Sequence, residues 1–279
     1  MRIAVVPNQT KTEHDLLVRE ISQRLARAGA DVRVVYAESG LPTTAQLIEA
    51  LTDCNKAIAI GGDGTIMHVA KAAAAADCPV LGVNAGRLGF LAGAEPDELD
   101  ALEALLSGAY TLDDRALLDV TVHTAAGEQH LLAMNEAVVA RGSLSRLVDV
   151  TVTAEGRRIM TCRGDGIIVA TPTGSTAYSL SAGGPVVDPA VSCMLLTPVC
   201  PHALDSRSRV LPAHIPLTLQ AVAADGEQAF LTVDGELNIP LAATDTVTVR
   251  LADTAVRLIR LTDTDFYEGL RQNCPIGDK

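Results

Sequence analysis

The sequence predicts an α/β N-terminal domain built on a parallel sheet, followed by a β-rich, sandwich-like C-terminal domain. Three observations carry this. The 279 residues are long for one domain and comfortable for two. Residues 1–109 alternate short apolar runs with helical patterns, the rhythm of a sheet covered by helices. From about residue 112 to 262 the runs are short, rich in β-branched residues and separated by turn formers. The boundaries expected from this change of character are 1–110 and 111–262.

The first strand is residues 3–6. Thr10-Lys-Thr-Glu13 then reads as a capping box, and Leu17, Ile21, Leu25 and Ala28 recur at helical spacing up to Gly29, which reads as the stop. Residues 32–36 read as a second strand and 43–51 as a short helix. A third strand, 57–60, runs straight into Gly61-Gly62-Asp63-Gly64-Thr65, and 66–76 reads as a helix. Residues 80–83 form a fourth strand, and 97–106 a further helix with Leu99, Leu102, Leu105 and Leu106 on one face. The rhythm is Rossmann-like, and ligands of such sheets sit at the carboxyl ends of the strands. In the second domain, strands are expected at 118–122, 147–153, 167–170, 217–221, 230–233, 247–251 and 256–261. Ala-Gly at 126–127, Glu-Gly at 155–156 and Asp-Gly at 225–226 mark turns between them. Only about 174–184 looks unlike a strand.

Composition narrows the function. Lys and Arg number 22 against 34 Asp and Glu, a net charge of −12. A nucleic-acid-coating protein needs a basic face, so nucleic acid is not an expected partner. With no Trp and three Phe, stacking platforms for single strands are also missing. No apolar run approaches the length of a membrane span, and the N-terminal run is too short for a signal-peptide core. Six scattered cysteines with no C-x-x-C suit free thiols in the cytoplasm better than a disulfide frame or a zinc site. No metal ligands are assigned.

The chemistry lies in three segments. Gly61-Gly62-Asp63-Gly64-Thr65 joins a strand to a helix. Glycines let backbone N–H groups approach a phosphate, and the helix N-terminus favours negative charge. An Asp in such a loop makes sense if it polarises a hydroxyl nucleophile or orients Mg²⁺ beside a transferring phosphoryl group. The segment is neither a P-loop nor a G-x-G-x-x-G fingerprint. Asn135-Glu136 combines donors with an acceptor, suited to ribose hydroxyls and an adenine edge. Arg163-Gly-Asp165-Gly leads through a short strand into the hydroxyl-rich, glycine-rich residues 171–185. That composition fits sugar and phosphate contacts, or a long Ser/Thr-rich turn.

These segments, with Asn84-x-Gly86-x-Leu-Gly-Phe-Leu91 and Thr197-Pro-Val-Cys-Pro-His202, resemble the NAD kinase family in order and spacing from about residue 57 to 240. The Gly-Gly-Asp-Gly core is shared with lipid kinases and phosphofructokinases; residues 171–185 are far more particular. The resemblance implies transfer of the γ-phosphoryl group of ATP, or of polyphosphate, to the adenosine ribose 2′-hydroxyl of NAD, with Mg²⁺ or another divalent metal. It implies that residues 263–279 return to the first domain and that the chain forms a homo-oligomer, a dimer or tetramer. Carried over by position, Asp63 is the catalytic base or hydroxyl-orienting group. Gly61, Gly62, Gly64 and Thr65 shape the phosphate loop. Gly64, Asn135, Glu136, Arg163, Asp165, Thr176, Ala177, Tyr178 and Ser181 are the NAD-binding set. Arg163 resembles members that prefer NAD to NADH. Asp234-Gly-Glu236 stands where many members have Asp-Gly-Gln, and Glu236 is assigned no role. The alternatives are a lipid or sphingoid-base kinase using the same loop and a non-catalytic dinucleotide sensor.

Overall fold

The computed structural model describes residues 1–8, 14–37, 40–85, 89–142, 146–203, 206–223, 227–262 and 266–273. The capping box expected at 10–13, the turn at 225–226 and the middle of the 84–91 motif lie outside the described residues. The chain forms two compact units, Met1–Arg115 with Thr254–Lys279, and Ala116–Asp253.

The first unit opens with β1 (Arg2–Pro7), α1 (His14–Arg27), β2 (Asp31–Val34), α2 (Thr44–Leu51), β3 (Lys56–Gly61), α3 (Asp63–Ala75) and β4 (Val80–Asn84). The four strands are parallel in the order β2-β1-β3-β4. Strands β3 and β4 are buried along their whole length, as parallel strands covered on both faces must be. Helix α2 starts with a capping box of its own, Thr43 with Gln46. The helix expected over 97–106 is instead a short 3-10 helix, Leu99–Glu103, continued by one α-helical turn, α4 (Ala104–Ser107). Leu99, Leu102 and Leu105 are all buried, and a spacing of three aligns side chains in a 3-10 helix rather than an α-helix. Gly108, at φ 81°, ends it.

The chain then runs through β5 (Thr111–Thr124), β6 (Gly127–Ala133), β7 (Glu136–Arg141), β8 (Val148–Ala154), β9 (Arg157–Gly164) and β10 (Gly166–Ala170). A 3-10 helix (Thr173–Thr176) and the single turn α5 (Tyr178–Ser181) follow, where the sequence showed no strand. After these come β11 (Cys193–Val199), β12 (Arg209–Pro212), β13 (Leu217–Ala223), β14 (Ala229–Val233), β15 (Leu237–Leu241), β16 (Thr246–Arg260) and α6 (Phe266–Asn273). The second unit holds an antiparallel sheet in the order β12-β11-β10-β7-β14-β15. Its other strands include β9-β8-β13, with the first half of β16 beside β13. One core joins the two layers, with Val150 and Leu217 from one and Val139, Ile167, Leu196 and Leu231 from the other. This is the sandwich the sequence led us to expect.

Two strands expected separately, 247–251 and 256–261, are one. Strand β16 stays extended through exposed Asp253, Thr254 and Ala255, so the break in the apolar pattern is a break in burial, not in backbone. Strands β5 and β16 both cross the division between the units along the chain, which places it at residues 115/116 and 253/254. The change of sequence character at 111 is where β5 begins. In the last third of β16, Leu258 lies beside Val80 of β4, so the returning strand extends the parallel sheet of the first unit.

Leu196 has no exposed surface and sits in the core of the second unit. Leu196→Ala is expected to lower stability by about 2–5 kcal/mol, read from urea midpoints at unchanged slope. A loss below about 1 kcal/mol would contradict the two-layer core.

Candidate active site

Strand β3 ends at Gly61, and α3 begins at Asp63, not after Thr65 as the sequence suggested. Asp63, Gly64 and Thr65 are therefore the first helical turn. Gly62 caps it through its carbonyl, which accepts from the N–H groups of Thr65 and Ile66. Gly61 is required by packing, because a Cβ there would lie 2.6 Å from the Thr65 side chain. Thr65 is buried, and its hydroxyl accepts a 3.0 Å hydrogen bond from Asn8 Nδ2. Gly62 and Gly64 differ: an added Cβ would meet nothing within 4 Å at either position. Neither has a positive φ. Neither position needs glycine for space; Gly62 is the N-cap, where glycine is favoured over alanine, whereas Gly64 lies within the helix, where glycine costs up to about 1 kcal/mol relative to alanine.

The Asp63 carboxylate is held by a loop. Oδ2 accepts from the Phe90 N–H at 2.9 Å and Oδ1 from the Leu91 N–H at 3.2 Å. Gly89 precedes these donors, and any Cβ on it would overlap the Asp63 carboxylate.

In the second unit, Asn135 and Glu136 stand where β7 begins, beside the end of β10. A tight turn between β14 and β15 fixes them. Asp234 and Gly235 take positive φ values of 48° and 70° in a three-residue turn, 234–236, closed by the Val233–Leu237 pair. The Asp234 carboxylate accepts three backbone N–H bonds, from Met134 (2.8 Å), Asn135 (2.8 Å) and Glu136 (3.1 Å). From the other side, the Thr171 N–H donates to Asn135 O and the Thr171 hydroxyl to Met134 O. Gly174 is pressed against Asn135, whose carbonyl a Cβ would strike. Glu136 is buried, and its Oε2 has no hydrogen-bond partner among the described residues. Burial, then the charge of Asp234, push its carboxyl from an ordinary 4.5 to about 7, against a lowering hydrogen bond from the Tyr178 backbone.

Asp165 lies between β9 and β10, and its carboxylate pairs with Arg141 Nε at 2.7 Å. Its backbone is equally fixed: the N–H donates to Val199 O and the carbonyl accepts from the Arg141 N–H. Gly164 and Gly166 flank it where a Cβ would press on the Val199 and Val139 carbonyls.

Residues 3–110 match the family model of the ATP-NAD kinase N-terminal domain, and residues 134–261 that of the ATP-NAD kinase C-terminal domain. The NAD kinase of Symbiobacterium thermophilum is 40% identical over 277 residues, 97% of this chain and 98% of its own. That of Heliobacterium modesticaldum is 38% identical over 281 residues, 99% of each chain. The chain belongs to the NAD kinase family. Two solved structures share its fold. A yeast NADH kinase complexed with NADH has a TM-score of 0.86 at 21% identity, over 100% of this chain and 88% of its own. An NAD kinase from Archaeoglobus fulgidus in complex with ATP has a TM-score of 0.76 at 24% identity, over 98% of each chain.

Within this NAD kinase chain the expected residues divide between the units. Asp63 and residues 61–65 belong to the first. Asn135, Glu136, Arg163, Asp165, Thr176, Ala177, Tyr178 and Ser181 belong to the second. Glu136 and Tyr178 meet there through a backbone hydrogen bond. The side chains of Arg163, Tyr178 and Ser181 are exposed, and Thr176 and Ala177 are half-buried. Among the hydroxyls of 171–185, those of Thr171, Ser175 and Ser179 are committed to the fold, bonding Met134, Val187 and Thr197 respectively. Sequence reasoning missed Asp234, Arg141, Gly174 and Gly89. Three of these carried a signal: Asp234 in the Asp-Gly pair of a turn between apolar runs, Gly89 in the 84–91 motif and Gly174 in the 171–185 segment.

Because the folded-state pKa of Glu136 is raised, the carboxyl favours the fold below pH 4.5, and this is lost as pH rises through about 7. The ligand-free wild type is expected to lose stability between pH 5 and 8 relative to Glu136→Gln, measured by thermal melts at matched ionic strength. Parallel melting profiles would contradict the buried, unpartnered carboxyl.

Proposed function

We propose that Asp63, at the start of α3, orients the acceptor hydroxyl and takes its proton in the reaction of this family. The enzyme phosphorylates NAD to NADP with ATP as the donor. A bond forms between the 2′-oxygen of the adenosine ribose and the γ-phosphorus, and the bond from that phosphorus to the bridging oxygen of ADP breaks. The hydroxyl proton passes to Asp63.

One observation carries this reading. Gly62 and Gly64 bracket Asp63 at the N-terminus of a 13-residue helix and have open space where a side chain would stand. Glycine at 64 is explained by a ligand that approaches the backbone, and phosphate is favoured at a helix N-terminus by its N–H groups and dipole. Gly61 and Thr65 support the same loop by packing and do not need to touch the donor.

In the second unit the carboxamide of Asn135 and the carboxylate of Glu136 are suited to ribose and adenosine contacts. Thr176, Ala177, Tyr178 and Ser181 extend that surface. Asp165, aimed by Arg141, is suited to the carboxamide of the nicotinamide end. Arg163 stands exposed two residues before Asp165, at the same end of that surface. Mg²⁺, which takes phosphate oxygens, water and one or two carboxylates, would be held at α3 chiefly by the phosphates of ATP and by water, with Asp63 the one carboxylate of that loop. When bound it would neutralise charge on the transferring group. Among the described residues, no three His, Cys, Asp or Glu side chains converge as a metal cage.

The relatives named above are NAD kinases, and neither a lipid or sphingoid-base kinase nor a non-catalytic sensor finds support among them. We assign the enzyme to the cytoplasm as a homo-oligomer, a dimer or tetramer. The described cysteines are free thiols, and burial pushes that of Cys78 up to about 12. No helix of the described residues is long and apolar enough to cross a membrane.

With NAD, ATP and Mg²⁺, NADP formation is expected in an assay coupled to an NADP-specific dehydrogenase. Asp63→Asn is expected to lose about a hundredfold or more in kcat while NAD affinity stays within a few-fold. Undiminished turnover would remove Asp63 from the mechanism. Gly64→Ala separates ligand approach from folding. It is expected to raise stability by up to about 1 kcal/mol while weakening use of ATP. Unchanged kinetics with ATP would contradict the phosphate loop.

A further inference from the structure

The loop that holds Asp63 is itself held from behind. Arg260 is the last residue of β16, in the first unit, and its side chain is only 15% exposed. Nη1 donates to Ala92 O at 2.5 Å and to Leu91 O at 3.3 Å, and Nη2 reaches Phe90 O at 3.4 Å. These are the carbonyls of the two residues whose N–H groups grip Asp63, and of the next residue. Nε and Nη2 of the same guanidinium donate to Asp113 Oδ2 at 3.1 and 2.9 Å. Asp113 also receives a two-pronged pair from Arg115, at 2.7 and 2.8 Å. The guanidinium is thus anchored at one edge and presents the other to the loop.

Two glycines bring the layers this close. Gly89 faces the Asp63 carboxylate, and Gly93 faces the Ile259 carbonyl of β16, each with no room for a Cβ. The loop is therefore fixed between its two neighbours. Burial and the nearby Arg115 lower the Arg260 pKa, while Asp113 and Asp63 raise it, so the Asp63 charge is felt at the guanidinium.

We propose that Arg260 is a positioning residue for the phosphoryl transfer, setting the place of the Asp63 carboxylate through the backbone of Phe90, Leu91 and Ala92. The proposal rests on the assignment of Asp63 given above. It gives the returning chain end a chemical purpose: the last residue of β16 supplies the far side of the Asp63 cradle. Lysine cannot replace it, because one ammonium cannot bridge three carbonyls and a carboxylate in fixed directions.

The test is a double-mutant cycle on the full-length protein, read in the coupled NADP assay. Arg260→Met is expected to lower kcat about ten- to a hundredfold with the KM for NAD within about threefold. Arg260→Lys, which keeps the charge, is the second variant and is expected to lose kcat in the same way with circular dichroism unchanged. In the Asp63→Asn background, either substitution is expected to change the residual kcat by less than about twofold, since the group being positioned is already gone. An equal fractional loss in both backgrounds, or full turnover in Arg260→Lys, would overturn the proposal. Undiminished turnover in Asp63→Asn alone would overturn the Asp63 assignment, an outcome read before Arg260 is changed.

Discussion

Two backbone N–H groups, those of Phe90 and Leu91, hold the Asp63 carboxylate, and the arrangement of the first unit converges on that contact. Backbone donors have no rotamers to lose, so they fix a carboxylate more firmly than a flexible cationic side chain does. The contact requires a helix that begins at Asp63, a loop with glycine at 89, and a strand returning beside β4. The parallel sheet supplies the helix start, because β3 ends in Gly61 and hands the chain directly to α3.

The second unit uses the same pairing of groups in reverse. There a carboxylate, that of Asp234, holds a backbone segment, Met134 to Glu136, by three N–H bonds. The acidic groups of the candidate site are thus treated differently. Asp63 receives N–H donors, Asp165 receives Arg141, and Glu136 is buried with one oxygen unpartnered among the described residues. A buried polar atom without a partner costs free energy in the ligand-free chain. A ribose hydroxyl is a group able to satisfy it.

The parallel half of the fold was legible because buried parallel strands are continuous apolar runs, as in residues 57–60 and 80–83. Alternation exposed β8 and β13. Strand β6 was missed because Glu128, Gln129 and His130 are exposed on both of its faces, which leaves no pattern to read. Strand β16 was split because Asp253, Thr254 and Ala255 face solvent in mid-strand. The motif residues of the site were legible, since glycine and carboxylate types in a fixed order carry chemistry. Their supports were not. Asp234 follows Asn135 by about a hundred residues, and Arg260 lies nearly two hundred after Asp63. No local pattern links partners that only a folded sheet brings together. The hydroxyl-rich 171–185 segment shows the opposite limit: its composition fitted both ligand contacts and a structural turn, and could not tell that Thr171, Ser175 and Ser179 serve the fold.

The most direct test is a crystal structure of the protein with NAD bound. The Asp63 carboxylate is expected within hydrogen-bonding distance of the adenosine ribose 2′-hydroxyl, with Phe90 and Leu91 still donating to it. A 2′-hydroxyl bonded to another group, with Asp63 left facing only its loop, would contradict the Asp63 assignment.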